Sequence, residues 1–524
     1  MNTQRIAFLG LSVSRYVSVL LMVLVSTGVF ANDEADSPAA IQSAFKEAQK
    51  QVNAGQYLNA ATTYFNLYTL DGKHQAVSLA LLTENLILAG YPNAAAFFYI
   101  RTLETGHRPA IRRILTHLPT MIDAVGGDLL RKYLLKYTSE ADYDAATRTH
   151  FFYSQGKNEL FNQNPQAALK ALANVSSGGG VMAQAAYLKG SAYAMLGQNN
   201  NAIASFEACR RMASRVESRY RSMSREADDL EARCTAGIAR TYYQAGDHDK
   251  ADDFYDEIPK SSFVWTDILF EQAWNAFGKG EYNRALGKLV TYRSPSLNFV
   301  FNPEVDVLRA QSFFALCSYE DVNQTVNEFT ATYSHVGSQM KGFLLENSNN
   351  LSAFYGLAKQ TYFRKLHTKD MLQRALNRFV RGPYFASMLA QERATERELF
   401  RLKSMREEGS QLRFRAFLQK ALAFRQNTVR QVGGAFVKNS MLDLYQDLLS
   451  NLDKMSYIKL GMLGRSKQQL ERKQALSTDE DGVLKRGSDD VSRKEYQYYW
   501  SFNGEFWIEE LGDYVFALES QCGS

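Results

Sequence analysis

The chain has 524 residues, 45% of them hydrophobic and 22% charged, so most of its length can bury a core and it does not have the composition of a disordered protein. Nine Pro and 33 Gly exclude collagen-like and Pro-rich linker architectures. Sixty Lys and Arg against 55 Asp and Glu leave +5, too small a surplus to argue for nucleic acid, and seven His and four Cys are too scattered for a metal protein.

Residues 1–16 carry Arg5 and Arg15 and no acid, and Val17 to Phe30 is an apolar run. The run fits a signal-peptide core and falls short of the ~20 residues that a membrane-spanning helix needs. Val29 and Ala31 put small residues at −3 and −1 of a cut before Asn32. Residues 1–31 are therefore expected to be a cleaved export signal, and 32–40 a polar, acidic mature N-terminus. The alternative is an uncleaved anchor with Arg15 and Tyr16 at a membrane face. No Cys stands at the cut for lipid attachment, and no other segment is apolar for long enough to span a bilayer. The expected location is the bacterial periplasm or cell envelope, an oxidising compartment for cysteines.

From about residue 41 to 335 one pattern recurs: a turn residue, a small residue five positions on, and an aromatic or aliphatic residue four positions further. It reads Gly55/Ala60/Tyr64, Gly90/Ala95/Tyr99, Gly197/Ala202/Phe206, Gly246/Ala251/Tyr255, Gly280/Ala285/Leu289 and Cys317/Val322/Val326. Two degenerate turns, Gly126-Gly127 and Gln163-Asn164-Pro165, fill the gap between Gly90 and Gly197. Successive turns lie 34 to 37 residues apart, except for 49 between Gly197 and Gly246. Each unit is predicted to be helix, tight turn, helix. Glycine permits the turn backbone, the small residue lets the helices approach, and the aromatic fills the space between units. A single unit cannot bury its own apolar stripe, so about eight must stack. The long spacing marks an insertion: residues 203–232 should hold two lengthened helices. Four cysteines allow three connectivities. Cys209 with Cys234, on neighbouring predicted helices, is the preferred pair, leaving Cys317 with Cys522 to tie back the chain end. The alternative is four buried thiols.

Residues 336–476 are expected to be helical without the repeat. The stretch 383–432 reads as one long helix, Gly433-Gly434 as a reversal, and 437–475 as a second helix, with Met441, Leu444, Leu448, Leu452, Met455 and Met462 on one face. The window 361–440 holds 17 Lys and Arg and 6 Asp and Glu, a net +11. That is either a surface for an acidic envelope partner or a solvated face balanced elsewhere. Residues 477–492 read as a flexible loop. Residues 493–524 hold nine aromatics between Tyr496 and Phe516. They are expected to form a cap that packs on the hairpin or the last repeat, with sugar stacking or partner binding as the alternative.

The order of glycine, alanine and aromatic residues resembles the tetratricopeptide (TPR) repeat, most closely at Gly190/Tyr193/Gly197/Ala202/Phe206 and Gly246/Ala251/Tyr255. The closing stretch YYWSFNGEFWIEELGDY is similar to the end of exported TPR proteins of myxobacterial and Bdellovibrio type, some of them associated with gliding motility and envelope complexes. The resemblance implies an all-α fold: a TPR-like solenoid, then a long helical hairpin and an aromatic cap. It implies binding of a protein or peptide segment on the concave face lined by the first helix of each unit. The positions that match that groove are Arg233, Arg240 and Tyr243, then Phe270, Trp274 and Phe277, then Gln311 and Phe314. For the phenylalanines, Phe277 and Phe314 above all, the expectation is core rather than groove; for Arg240 and Trp274 both readings stand.

No motif for a nucleophile elbow, zinc protease, phosphate loop or dinucleotide site is present. Ser176-Ser177-Gly178-Gly179-Gly180 lacks the Lys that a phosphate loop needs, and the seven His residues show no ligand spacing. The expectation is a non-enzymatic exported scaffold without cofactor, metal or nucleic acid and with at most peripheral membrane contact, assembling an envelope complex. The alternative is a binder of peptidoglycan, glycan or anionic lipid that uses the basic, aromatic C-terminal third.

Overall fold

A computed structural model describes residues 37–70, 72–176, 179–217, 224–405, 411–475 and 497–522. The expected export signal, the start of the polar N-terminus and the 477–492 loop lie outside them. The described chain is an all-α, TPR-like solenoid with two added features, a long helical hairpin and an aromatic C-terminal segment. Its helix pairs are α1 (Pro38–Asn53) with α2 (Tyr57–Tyr68), then α3 (Gln75–Leu88) with α4 (Pro92–Glu104). After a short α5 (Arg108–Leu115) come α6 (Leu118–Val125) with α7 (Gly127–Tyr137), and α8 (Arg148–Phe161) with α9 (Pro165–Leu172). The later helices are α10 (Gly179–Met195) and α11 (Asn199–Glu217), followed by the pairs α12 (Ser224–Ala245) with α13 (His248–Asp256), α14 (Trp265–Gly278) with α15 (Tyr282–Val290), and α16 (Glu304–Ala315) with α17 (Tyr319–Glu346).

All eight turn positions take a left-handed backbone. Gly55, Gly90, Gly126, Gly197, Gly246 and Gly280 have φ between 69° and 87°; Gln163 and Cys317, at 59° and 57°, are the non-glycine residues with positive φ among the described residues. The hydrogen bonds explain why. At Gly90 the next N–H, of Tyr91, reaches back to Leu86 O at 2.9 Å, and Gly90 N reaches Ile87 O at 3.0 Å. The same pair of bonds recurs at Gly55, Gln163, Gly246, Gly280 and Cys317. It satisfies the last carbonyls of the first helix and turns the chain into the second. The small residues that follow, Ala60, Ala95, Ala202, Ala251, Ala285 and Val322, have no exposed surface.

The chain forms two compact units. The first comprises residues up to 196 together with 383–433. Here α20 (Pro383–Ser404) and the start of α21 (Leu412–Ala475) run antiparallel. They are joined by Arg430 Nε to Glu392 at 2.6 Å, Gln426 to Glu396 at 2.8 Å and Arg415 to Leu402 O at 2.8 Å. (α18, Leu351–Phe363, and α19, Met371–Val380, precede them.) Phe414 and Phe417 of α21 enter the repeat core against Phe65, with ring centroids 4.8 and 5.2 Å away. Glu398 of α20 closes the N-terminus of α4. Its oxygens accept from Asn93 N (2.9 Å), Asn93 Nδ2 (2.8 Å) and Ala94 N (2.9 Å). Burial pushes its pKa above the ordinary carboxylate value, against the pull of those donors.

The hairpin exists, but its reversal is not at Gly433-Gly434. α20 ends at Ser404, α21 starts at Leu412, and α21 continues through both glycines as a single helix of 64 residues. The glycine has another purpose. A Cβ on Gly434 would stand 2.0 Å from Leu351 O, so only glycine lets the start of α18 lie that close to α21. The expected single helix over 383–432 is correspondingly split between α20 and α21.

The second unit comprises 197–382 and 434–524. The insertion appears as long α11 and α12, of 19 and 22 residues, joined by the Cys209–Cys234 disulfide with a Cα–Cα distance of 6.0 Å. The C-terminal segment forms β1 (Trp500–Ser501) and β2 (Tyr514–Val515), paired in parallel. It is less an end cap than a strap along α15. Phe516 N donates to Asn283 O at 3.1 Å, Asn283 Nδ2 donates to Leu518 O at 3.0 Å, and Gly512 N donates to Thr291 Oγ1 at 3.1 Å. Buried Lys288 donates to Gly512 O at 3.2 Å, and burial lowers its pKa. Trp265, Leu269, Leu511 and Tyr514 make the apolar seam, with Phe502, Phe506 and Phe516 on it. The strap ends at the α16–α17 turn, where Cys522 bonds Cys317.

Two outcomes follow for the purified chain. Glu398→Ala leaves two backbone donors buried without an acceptor and should cost about 2–4 kcal/mol in urea unfolding, with Glu398→Gln losing less. Gly287→Ala would put a Cβ 1.7 Å from Tyr514 O. It should lift the strap, so that limited proteolysis cuts between 497 and 516 while far-UV circular dichroism stays at the wild-type level.

Candidate functional site

In the second unit the first helices of three consecutive pairs, α12, α14 and α16, carry the residues that the sequence assigns to a groove. On α14, Phe270, Trp274 and Phe277 form one row, with neighbouring ring centroids 6.4 and 5.7 Å apart. All three are half-buried, resting on Ala273, Leu289, Val305 and Leu308. The row is therefore part core and part surface. On α12, Tyr243 is half-buried and packs edge-on against His248 at 5.4 Å. Arg233 pairs with Asp229 one turn back, at 3.3 Å.

Arg240 is not a bare cation. Its Nε and Nη2 hold Glu271 of α14 through both carboxylate oxygens, at 2.7 to 3.1 Å, and Tyr255 OH donates to the same group at 3.1 Å. Burial, with Glu271 beside it, raises the Tyr255 pKa. The face thus presents a fixed Arg–Glu pair beside an aromatic row. Glu271 lies 31 residues after Arg240, close to the repeat period, and that spacing was the one signal from which the sequence could have found it.

The third position of the row is occupied from within the chain. Gln311 is half-buried on α16. Phe314 is neither plain core nor open groove: the Arg465 guanidinium of α21 stands 4.6 Å over its ring, and a Cβ on Gly461 would lie 3.6 Å from it. Lys454, eleven residues before Arg465, pairs with Glu304 at 3.2 Å, ten residues before Phe314. α21 therefore runs alongside α16, and the face still open is the one shared by α12 and α14.

Next to this face lies a cavity of about 400 Å³, which the sequence did not suggest. Charged groups line it in compensated sets. Glu328 accepts from Arg309 at 2.9 Å and also from Arg293; Arg309 also holds Asp306 at 2.9 Å, and Tyr333 OH donates to Asp306 at 3.3 Å. Burial would raise the Glu328 pKa, but hydrogen bonds from Arg309, Gln324 and Arg293 outweigh it and bring the value down to about 2. Burial raises Asp306, and it lowers Arg374, whose Nε donates to Thr368 O at 2.8 Å. Such a pocket can receive a polar side chain or a chain end. Among the described residues no cluster of three or more His, Cys, Asp or Glu is arranged to hold a metal. No described helix is long and apolar enough to cross a membrane.

Much of the basic charge in 361–440 is spent on backbone oxygens. Arg401 donates to Gly90 O, Arg415 to Leu402 O and Met405 O, Arg425 to Val125 O, Arg378 to Phe301 O and Lys438 to Ser348 O. These carbonyls lie at helix ends or in loops, where a cation offsets the local dipole. Burial pulls the Arg425 pKa down to about 10, still charged at neutral pH.

The sequence matches no family profile and no curated protein. Solved structures that it is similar to include the apo form of RapI, at 11% identity and a TM-score of 0.32, over 75% of this chain and 97% of that one. The Rap conjugation gene regulator of plasmid pLS20, in complex with the Phr* peptide, is 12% identical with a TM-score of 0.28, over 72% and 96%. The TPR domain of P58(IPK) is 14% identical with a TM-score of 0.18, over 75% and 99%.

The lowered Glu328 pKa has a sign that can be measured. Its contribution to stability is present above the unfolded carboxylate value and is lost as pH falls through the folded one. The gap in Tm between wild type and Glu328→Gln should be widest near neutral pH, then shrink from about pH 4.5 down to 2.

Proposed function

We propose that this chain is a non-enzymatic, exported scaffold that holds a segment of a partner protein on the face shared by α12 and α14 and so helps to assemble a cell-envelope complex. The observation that carries this reading is the half-buried row Phe270, Trp274 and Phe277 beside the Arg240–Glu271 pair. Aromatic and arginine side chains on a rigid helical face are the residue types that anchor protein interfaces. Each helix there is fixed by its own turn, so the face costs little to order when a partner binds. Two cysteine pairs at bonding distance support an oxidising location.

A second reading, binding of an envelope glycan, is favoured by one observation. The strap buries Tyr514 but leaves Tyr498, Trp500 and Trp507 exposed, at 71%, 47% and 54%. Three exposed aromatics on a strap held by a disulfide offer flat surfaces for sugar rings.

The test is a photo-crosslinker placed at Arg240 or Trp274 in the full chain, followed by capture from the native envelope. The same protein segment should be crosslinked from both sites, and Arg240→Ala with Trp274→Ala should reduce its capture at least tenfold at unchanged helicity. Undiminished capture by that double variant would remove the α12–α14 face. If Trp507→Ala then abolishes capture, and the captured material is glycan, the second reading takes its place.

A further inference from the structure

The cavity beside the α12–α14 face has one charge left over. The charged residues that line it are Arg293, Asp306, Glu328 and Arg374. Both acids are already matched: Arg309 holds Asp306 and Glu328, and Arg293 also holds Glu328. Arg374 of α19 is matched by no carboxylate. Its Nε donates to Thr368 O at 2.8 Å, which anchors the guanidinium, and among the described residues its Nη1 and Nη2 have no hydrogen-bond partner. Burial lowers its pKa, and the group opposing that shift is the Tyr333 phenol rather than an acid. A cation drawn partly out of water without a partner carries a free-energy cost that a bound anion recovers.

Two amides on the same cavity are also unspent. Asn298 Oδ1 accepts from His367 Nδ1 at 2.8 Å, which leaves its Nδ2 free to donate, and the Asn302 side chain makes no hydrogen bond among the described residues. Leu289, Val305 and Met371 add apolar wall. The volume, about 400 Å³, is at the small end of the ~300–1,000 Å³ that small-molecule sites occupy. We propose that this cavity binds a small monocarboxylic acid with a short aliphatic body, its carboxylate on the Arg374 Nη atoms and the Asn298 and Asn302 amides, its carbon chain against Leu289, Val305 and Met371. One unmatched guanidinium balances one negative charge. A phosphate dianion would bring a second charge with no cation left for it, and a neutral ligand would leave Arg374 unmatched. No residue lining the cavity lies on α12 or α14, so the site does not depend on the partner-binding reading.

Isothermal titration calorimetry on the full chain tests this, with 4-methylpentanoate as the probe and 4-methylpentanamide, its neutral isostere, as the control. The acid should bind at a single site per chain, and the amide about tenfold more weakly or worse. Arg374→Gln should weaken the acid by a similar factor, and Arg374→Lys, which keeps the charge but not the two-pronged donor, by less. Asn302→Asp changes a side chain with no bond to lose. It should keep the wild-type circular dichroism while setting a carboxylate where the acid would sit, and it decides the matter if the Arg374 variants fail to fold. The proposal is overturned if millimolar acid gives no saturable heat, if acid and amide bind alike, or if folded Arg374→Gln or Asn302→Asp binds the acid as wild type does. Binding of inorganic phosphate, or of acetyl-alanyl-leucine as the free acid, where 4-methylpentanoate does not bind would also overturn it, and would assign the cavity to a phosphorylated ligand or to a peptide end.

Discussion

The rest of the architecture depends on one backbone constraint: the chain must leave a helix, satisfy that helix's last carbonyls and start another within about three residues. A left-handed residue at the turn does this, because it aims its own N–H and the next one back at the helix it has left. Eight turn positions of this chain take such a backbone, and at seven of them a fully buried alanine or valine of the second helix follows five residues on. Where glycine is missing, at Gln163 and Cys317, the same hydrogen bonds form and the fold accepts the steric cost. At Cys317 that strained turn is also where the C-terminal strap is bonded.

The second theme is how the non-repeat third is used. α20 and the first part of α21 supply groups that the repeats lack: Glu398 caps α4, Arg425 neutralises the end of α6, and Phe414 and Phe417 fill the core beside Phe65. In the second unit the later part of α21 lies along α16, with Arg465 over Phe314 and Lys454 paired with Glu304. Part of a region that by composition looks like a basic docking surface is thus structural. Arg378, Arg401, Arg415, Arg425 and Lys438 are spent on carbonyl oxygens and Arg430 on buried Glu392, which charge counting cannot register.

Local patterns proved legible and distant ones did not. The turns, the helix pairs and the long insertion were readable because a left-handed turn and a 3.6-residue period are properties of neighbouring residues. Both disulfides were readable because only a few pairings were open and the helix order favoured one. Gly433-Gly434 was misread as a reversal because glycine marks two different things, a turn and a close approach, and the second depends on Leu351, some 80 residues away. The strap was expected on the hairpin or the last repeat, since aromatic density says that a segment will be buried but not against what.

The sequence by itself determined the class of fold, the positions of the turns and the residue types that follow them, since each of these follows from spacing along one chain. Only the tertiary structure decided which of those residues remain available. Arg240 is matched to Glu271, Phe314 lies under α21, and the cavity at Glu328 and Asp306 forms where α16 and α17 come together. Availability is a matter of what else in the chain approaches a side chain, and that is fixed by packing between elements far apart in sequence.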